Sequence, residues 1–211
     1  MEKQSRYPVI AIFQTGFTNP VVAHGDVEAL NEAYQGAKNA LVPILMVDNI
    51  QDLSDAFSAL RQMSTNASVY TLTSHGLPGQ FRIGNDVIDV TTDVSSLKQG
   101  LQGTSVFINA CESGNNKSGN SGQYMVENFA NMTNSTVIAS TSEIVAGYKY
   151  DGSIVKTTDP NGQFIVSHGN FKSSSATNVR IHSALGISWA EENTSKSFDV
   201  SPLVQPTFMT P

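Results

Sequence analysis

The amino-acid sequence predicts an α/β fold with a mostly parallel central sheet and helices on both faces. Short apolar runs at 7–13, 42–47, 68–73, 105–110 and 135–140 have strand length, and amphipathic or turn-rich segments separate them. Strand and helix alternate along this region, so the connections are crossovers, which pair strands in parallel.

"YPVIAIF" is continuously apolar before Gln14-Thr15-Gly16 and reads as a strand buried on both faces. "GDVEALNEAYQGAKNAL" follows, with Asp26 as its cap and Val27, Leu30, Ala33, Tyr34 and Ala37 at helical spacing. After the strand "VPILMV", the segment "DNIQDLSDAFSALRQM" sets Ile50, Leu53, Phe57 and Leu60 on one stripe, a second helix. "SVYTLT" is the third strand. "QFRIGNDVIDV" reads as a hairpin turning at Gly84-Asn85, and "DVSSLKQGL" as a helix capped by Asp93. "SVFINA" is the fourth strand, "QYMVENFANM" a helix and "STVIAS" the fifth strand. Beyond residue 141 the pattern weakens. "GYKYDGSIVKTTDPNGQFIVSHG" fits a hairpin or an extended loop, "SATNVRIHSALGISWAEEN" fits a helix, and "FDVSPLVQPTFMTP" carries too much proline for regular structure.

At 211 residues without repeat or linker, the expectation is one domain over 1–195 with a C-terminal tail over 196–211. The formal charge of -6 and the lack of any Lys/Arg cluster exclude a nucleic-acid partner. No apolar run approaches a membrane span, and "MEKQSRYPVIAIF" is too brief for a signal-peptide core. A soluble chain is expected, either cytoplasmic or part of a secreted protein, with its oligomeric state open. A single cysteine cannot form a disulfide within its own chain, so the question becomes what the thiol does.

Two strands end on a reactive residue: "VYTLT" runs into Ser74-His75-Gly76, and "SVFINA" into Cys111. In an open parallel sheet the carboxyl ends of the strands border the ligand crevice. Neighbouring third and fourth strands would therefore bring His75 and Cys111 out at one rim. An imidazole beside a thiol can take its proton or stabilise the thiolate, and can later protonate a departing amine. Gly76, without a side chain, allows its N–H close to a reacting carbonyl, and the Cys111 N–H is a second candidate donor to an oxyanion.

The paired motifs Ser74-His75-Gly76 and Ala110-Cys111-Glu112-Ser113-Gly114 resemble the two signatures of the caspase-like (clan CD) cysteine peptidases. "SHGLPGQFRIGNDVI", "NACESG" and "MVENFANMTNSTVIASTSE" look still more like an uncharacterised bacterial caspase-like domain, often found in large surface or secreted proteins. The resemblance spans roughly residues 7–150. It implies a three-layer sandwich that hydrolyses peptide bonds, with His75 as general acid and base, Cys111 as nucleophile and Gly76 as an oxyanion donor. It implies a protein or peptide substrate and no cofactor. Relatives that cut after Lys or Arg line their first specificity pocket with an acidic residue, for which Glu143 and Asp151 are the substrate-binding candidates. Self-cleavage at Lys149 or Lys156 would fit the same preference.

Plainer readings stand beside these. A lone cysteine is commonly a small buried apolar residue, and a caspase-like fold can act as a catalytically idle interaction or scaffolding module. His168-Gly169 repeats the His-Gly pattern without the Pro-Gly that follows His75. His24 reads as a helix-start residue, His182 as a partly exposed helical residue, and Glu112 as a surface charge. One cysteine without closely spaced histidines makes a poor zinc site. "GNDVIDVTTD" lacks calcium-loop spacing and reads as solvated turns. No Gly-x-Ser-x-Gly elbow supplies a serine nucleophile.

Overall fold

The computed structural model describes residues 5–23, 27–39, 41–117, 121–145, 156–157, 163–169, 173–176, 179–184 and 187–192. The chain opens with β1 (Ser5–Gln14), α1 (Pro20–Ala23), α2 (Val27–Asn39), β2 (Ile44–Val47), α3 (Ile50–Gln62) and β3 (Thr65–Thr73). A hairpin of β4 (Phe81–Ile83) and β5 (Asp86–Ile88) precedes a 3-10 turn at Ser95–Leu97, α4 (Lys98–Leu101) and β6 (Ser105–Asn109). Then come α5 (Gly122–Thr133), β7 (Thr136–Ser140), β8 (Ile144–Val145), β9 (Lys156–Thr157), β10 (Phe164–Ser167), β11 (Ser173–Ala176), β12 (Val179–Ala184) and β13 (Ile187–Glu192).

A seven-stranded sheet runs in the order β2-β1-β3-β6-β7-β10-β11. Its first five strands are parallel, while β10 is antiparallel to β7 and β11 to β10. Successive side chains of a strand point to opposite faces, and both faces of the middle strands are buried. Ile10 and Ile12, with Tyr70, Leu72, Val106 and Ile108, pack under α3, α4 and α5 through Leu53, Phe57, Leu101, Val126 and Phe129. Val9, Ala11 and Phe13, with Val69, Phe107 and Ile138, pack against Leu30, Ala33 and Ala37 of α2.

Helices flank both faces, but unequally. From β2 onward each parallel strand lies further along the sheet in one direction, so right-handed crossovers deliver α3, α4 and α5 to a single face. Only the β1-to-β2 step runs the other way and puts α2 on the second face. There β13 lies against β6, β7 and α2.

Two expectations for the last third are corrected. The 175–193 segment is not the expected helix: among its described residues, Ser175 and Ala176 end β11, and β12 and β13 form an antiparallel pair with Val179 opposite Glu192 and Ala184 opposite Ile187. "VRIHSA" alternates β-branched with polar residues, a period-two signal that competes with the helical spacing read across it. His182 therefore lies on a strand. "QFIVS" is neither isolated hairpin nor loop but β10, a member of the main sheet. The 196–211 tail, His24 and the Asp26 cap lie outside the described residues.

Local chemistry sets the other boundaries. Asn49 caps α3 by accepting the Asp52 N–H at 2.9 Å, and Ser121 caps α5 by accepting the Tyr124 N–H at 3.2 Å. α5 ends at Asn134, whose φ of 52° is the left-handed stop. Asp93 accepts the Ser95 N–H at 2.9 Å, but the cap position is Val94, and in place of the expected single helix a 3-10 turn at Ser95–Leu97 runs into the short α4.

Candidate active site at the carboxyl rim of the sheet

β3 and β6 pair in parallel from Val69 opposite Ser105 to Thr73 opposite Asn109, a constant separation of 36 residues. His75 and Cys111 are separated by the same interval and lie two residues past the last pair. Contacts beyond the ladder keep these segments side by side. The Ser74 N–H donates to the Asn109 carbonyl at 3.3 Å, and the Asn109 amide donates to the Thr73 hydroxyl at 3.4 Å. A Cβ built on Gly76 would overlap the Cys111 carbonyl oxygen and sit 3.0 Å from the Ala110 Cβ. The glycine is thus required by the close approach of the Cys111 backbone, a reason that does not depend on a ligand. His75 and Cys111 are both half-buried.

The loop after Cys111 is fastened to the end of β7. Glu112 has a φ of 52°, the left-handed region that costs a residue with a Cβ about 1 kcal/mol. Its N–H donates to the Ser142 carbonyl at 3.0 Å, and the Gly114 N–H to the Ser140 carbonyl at 2.7 Å. The buried Ser113 hydroxyl turns back to the Ala110 carbonyl at 3.0 Å, and the Asn115 side-chain amide donates to the Thr141 carbonyl. The Glu112 and Gly114 N–H groups are therefore already committed. Among the described residues the Gly76 N–H donates to nothing, which leaves it available to an incoming oxygen.

Beside this loop a cleft of about 560 Å³ opens at the ends of β6 and β7 and the start of β10. Glu112, Asn115, Lys117, Thr141, Glu143 and Gln163 are among its lining residues, whereas His75 and Cys111 are not. Lys117 Nζ stands 3.7 Å from the Glu112 carboxylate. Glu143 is exposed in this lining, while Asp151 and Lys149 lie outside the described residues. Lys156 sits in β9, opposite Val145, so it belongs to a paired strand and not to an open loop.

The remaining histidine and acidic candidates fall elsewhere. Thr136 at the start of β7 is hydrogen-bonded to His168 Nδ1 at 3.3 Å, so His168 stands at the amino end of the parallel strands, the pole opposite Cys111. Asp89 accepts the Thr91 N–H at 2.8 Å and both the Thr91 and Thr92 hydroxyls, which makes "VIDVTTD" a hydrogen-bonded turn. Among the described residues no group of His, Cys, Asp and Glu could hold a metal ion, and no helix is long and apolar enough to cross a membrane.

Sequence reasoning missed the supporting polar residues: Ser74, Ser113, Asn115 and Thr141. Each follows the carboxyl end of an apolar strand closely. A hydroxyl or amide in that position was the available signal, since strand ends leave backbone groups for side chains to satisfy.

No curated protein matches the chain. The family described as a domain of unknown function (DUF4347) matches residues 21–152, more than half of the chain and a span that holds His75, Gly76, Cys111 and the β4/β5 hairpin. The chain belongs to that family.

Proposed function

We propose that this chain is a caspase-like cysteine endopeptidase that hydrolyses peptide bonds through Cys111 and His75. One observation carries the reading: the register of β3 and β6 and the contact of Gly76 with Cys111 bring the two strand-end segments together. In the reaction, His75 removes the thiol proton and Sγ bonds to the peptide carbonyl carbon. The electron pair moves to the oxygen, which accepts hydrogen bonds from the Gly76 N–H and the Cys111 N–H. Collapse breaks the carbon–nitrogen bond while His75 returns its proton to the amine. Water, deprotonated by His75, then attacks the thioester and releases the acid and the free thiol.

The cleft beside Cys111 supports a preference in the substrate. Among the described lining residues, Glu112 and Glu143 stand against one cation, Lys117, which is paired with Glu112, an acidic balance suited to a Lys or Arg side chain. The rival is a caspase-like module that binds without cutting, and the cleft favours it in one respect: neither His75 nor Cys111 lines it.

A fluorogenic peptide library assayed against wild type and Cys111→Ala separates the two. Turnover by wild type alone, strongest after Lys or Arg, is the expected result. No turnover with any peptide, together with Cys111 alkylation by iodoacetamide that is indifferent to His75→Ala, would establish the binding module.

A further inference from the structure

We infer that Ser74 is a positioning residue that aims the oxyanion-binding peptide; this rests on the hydrolytic reading above. Ser74 is half-buried and bonded on three sides. Its N–H continues the ladder to the Asn109 carbonyl. Its hydroxyl donates to the His75 carbonyl oxygen at 3.1 Å and accepts the Arg82 N–H of β4, also at 3.1 Å.

The consequence lies in the peptide unit it grips. The His75 C=O and the Gly76 N–H belong to one planar, trans peptide, in which oxygen and hydrogen point in opposite directions. Holding the oxygen on the Ser74 hydroxyl therefore directs the Gly76 N–H away from Ser74. The anchor is itself rigid, because the hairpin is tied down at its far end. The Asn85 N–H donates to the Asp48 carbonyl at 2.7 Å, the Gln14 amide donates to Asn85 Oδ1 at 2.9 Å, and Asp86 accepts the Ile50 N–H at 2.8 Å. Reciprocal bonds between Leu77 and Gln80, 3.1 and 2.9 Å, close the other side of the loop. Alanine at position 74 keeps the strand but frees the peptide to rotate. Oxyanion stabilisation requires donors fixed before the charge develops, so that freedom is costly at the transition state and not at the thiol.

The test separates the two chemistries of Cys111. Alkylation by iodoacetamide displaces iodide from carbon and forms no oxyanion, whereas peptide hydrolysis does. With the best Lys or Arg fluorogenic peptide, Ser74→Ala is expected to lower kcat by about a hundredfold with KM unchanged. The same protein should alkylate at the wild-type rate, and Ser74→Thr should recover most of kcat. Unchanged kcat in Ser74→Ala overturns the inference, as does alkylation that falls in step with kcat, or a failure of threonine to restore activity. Should Ser74→Ala not fold, amide exchange in wild type decides: the Arg82 N–H is expected to be protected, and exchange at the unprotected rate overturns the anchor. A wild type without turnover removes the hydrolytic reading itself, a result distinct from an active wild type matched by Ser74→Ala.

Discussion

The rim above the parallel strands has two halves. Over β1, β2 and β3 it is covered by the β4/β5 hairpin, bonded to the ends of all three strands through Gln14, Asp48 and Ser74. Over β6, β7 and β10 it is an open cleft of about 560 Å³. In a sheet whose parallel strands run 2-1-3-4-5 in sequence order, the order reverses between the first and third strands, where a ligand crevice ordinarily forms. Here the hairpin lies across that position. The free opening is displaced towards β7, and Cys111 stands at the boundary, between the His75 segment bonded to the hairpin through Ser74 and the cleft.

The largest expected effect breaks the covered half. Gly84 has a φ of 59° at the first central position of the hairpin turn, and a Cβ there would overlap the Asp48 carbonyl. Gly84→Val should lower unfolding stability by roughly 3 kcal/mol or more, read by urea denaturation. Gly103→Ala is the control, since φ there is 74° but nothing lies within 4 Å. Its cost should stay near 1 kcal/mol, the conformational part alone. Equal losses at the two positions would mean that the hairpin is not held by contact.

The covered half was legible in the sequence and the open half was not. Gly84-Asn85 between two short apolar segments announces its hairpin locally, because turn geometry demands particular residues at particular positions. The strand ends at His75 and Cys111 were equally legible, since the apolar runs stop at them. The cleft depends on β10, whose "FIVS" reads alone as any short apolar segment and finds its place only by pairing with β7. The β12/β13 pair was misread for the same reason: a short amphipathic stretch fits two periods, and tertiary packing chooses between them. The bonds of Ser74 to Asn109 and of Asn115 to Thr141 join segments that only the sheet register brings together.

A smaller effect tests the turn after Cys111, whose backbone is bonded to the end of β7. Ser113→Ala removes the bond to the Ala110 carbonyl in a fully buried setting, and about 1 to 2 kcal/mol of stability should go with it. The Glu112 turn should then exchange its amide more rapidly, while the hairpin amides keep their protection. Faster exchange in both halves would show that they open as one unit.

Within the cleft, Glu143→Gln sharpens the comparison without touching the fold. Glu143 is exposed, so its attraction for a basic side chain is screened and should amount to about 1 kcal/mol or less. The preference for arginine over norleucine, measured as a ratio of kcat/KM, should therefore fall by less than about tenfold. A larger collapse would place the decisive carboxylate at Glu143, and no change would leave that role to Glu112.

The smallest effect is one of pH, in the turn that ends the hairpin. The Asp89 carboxyl is held below its ordinary value chiefly by the Thr91 hydroxyl, then by the Thr91 N–H, with Thr92 adding to both. A carboxylate whose pKa is depressed in the folded state binds fewer protons there than in the unfolded chain. Its stabilising contribution is thus present above the unfolded value of 3.8 and is lost as pH falls through the folded one. Asp89→Asn should lower the unfolding midpoint slightly at neutral pH and hardly at all in acid, so wild type and variant converge as the medium is acidified. Divergence towards acid would mean that the turn draws its hold from the neutral side chain, and the hairpin's far anchors at Gln14 and Asp48 would then carry the covered half without it.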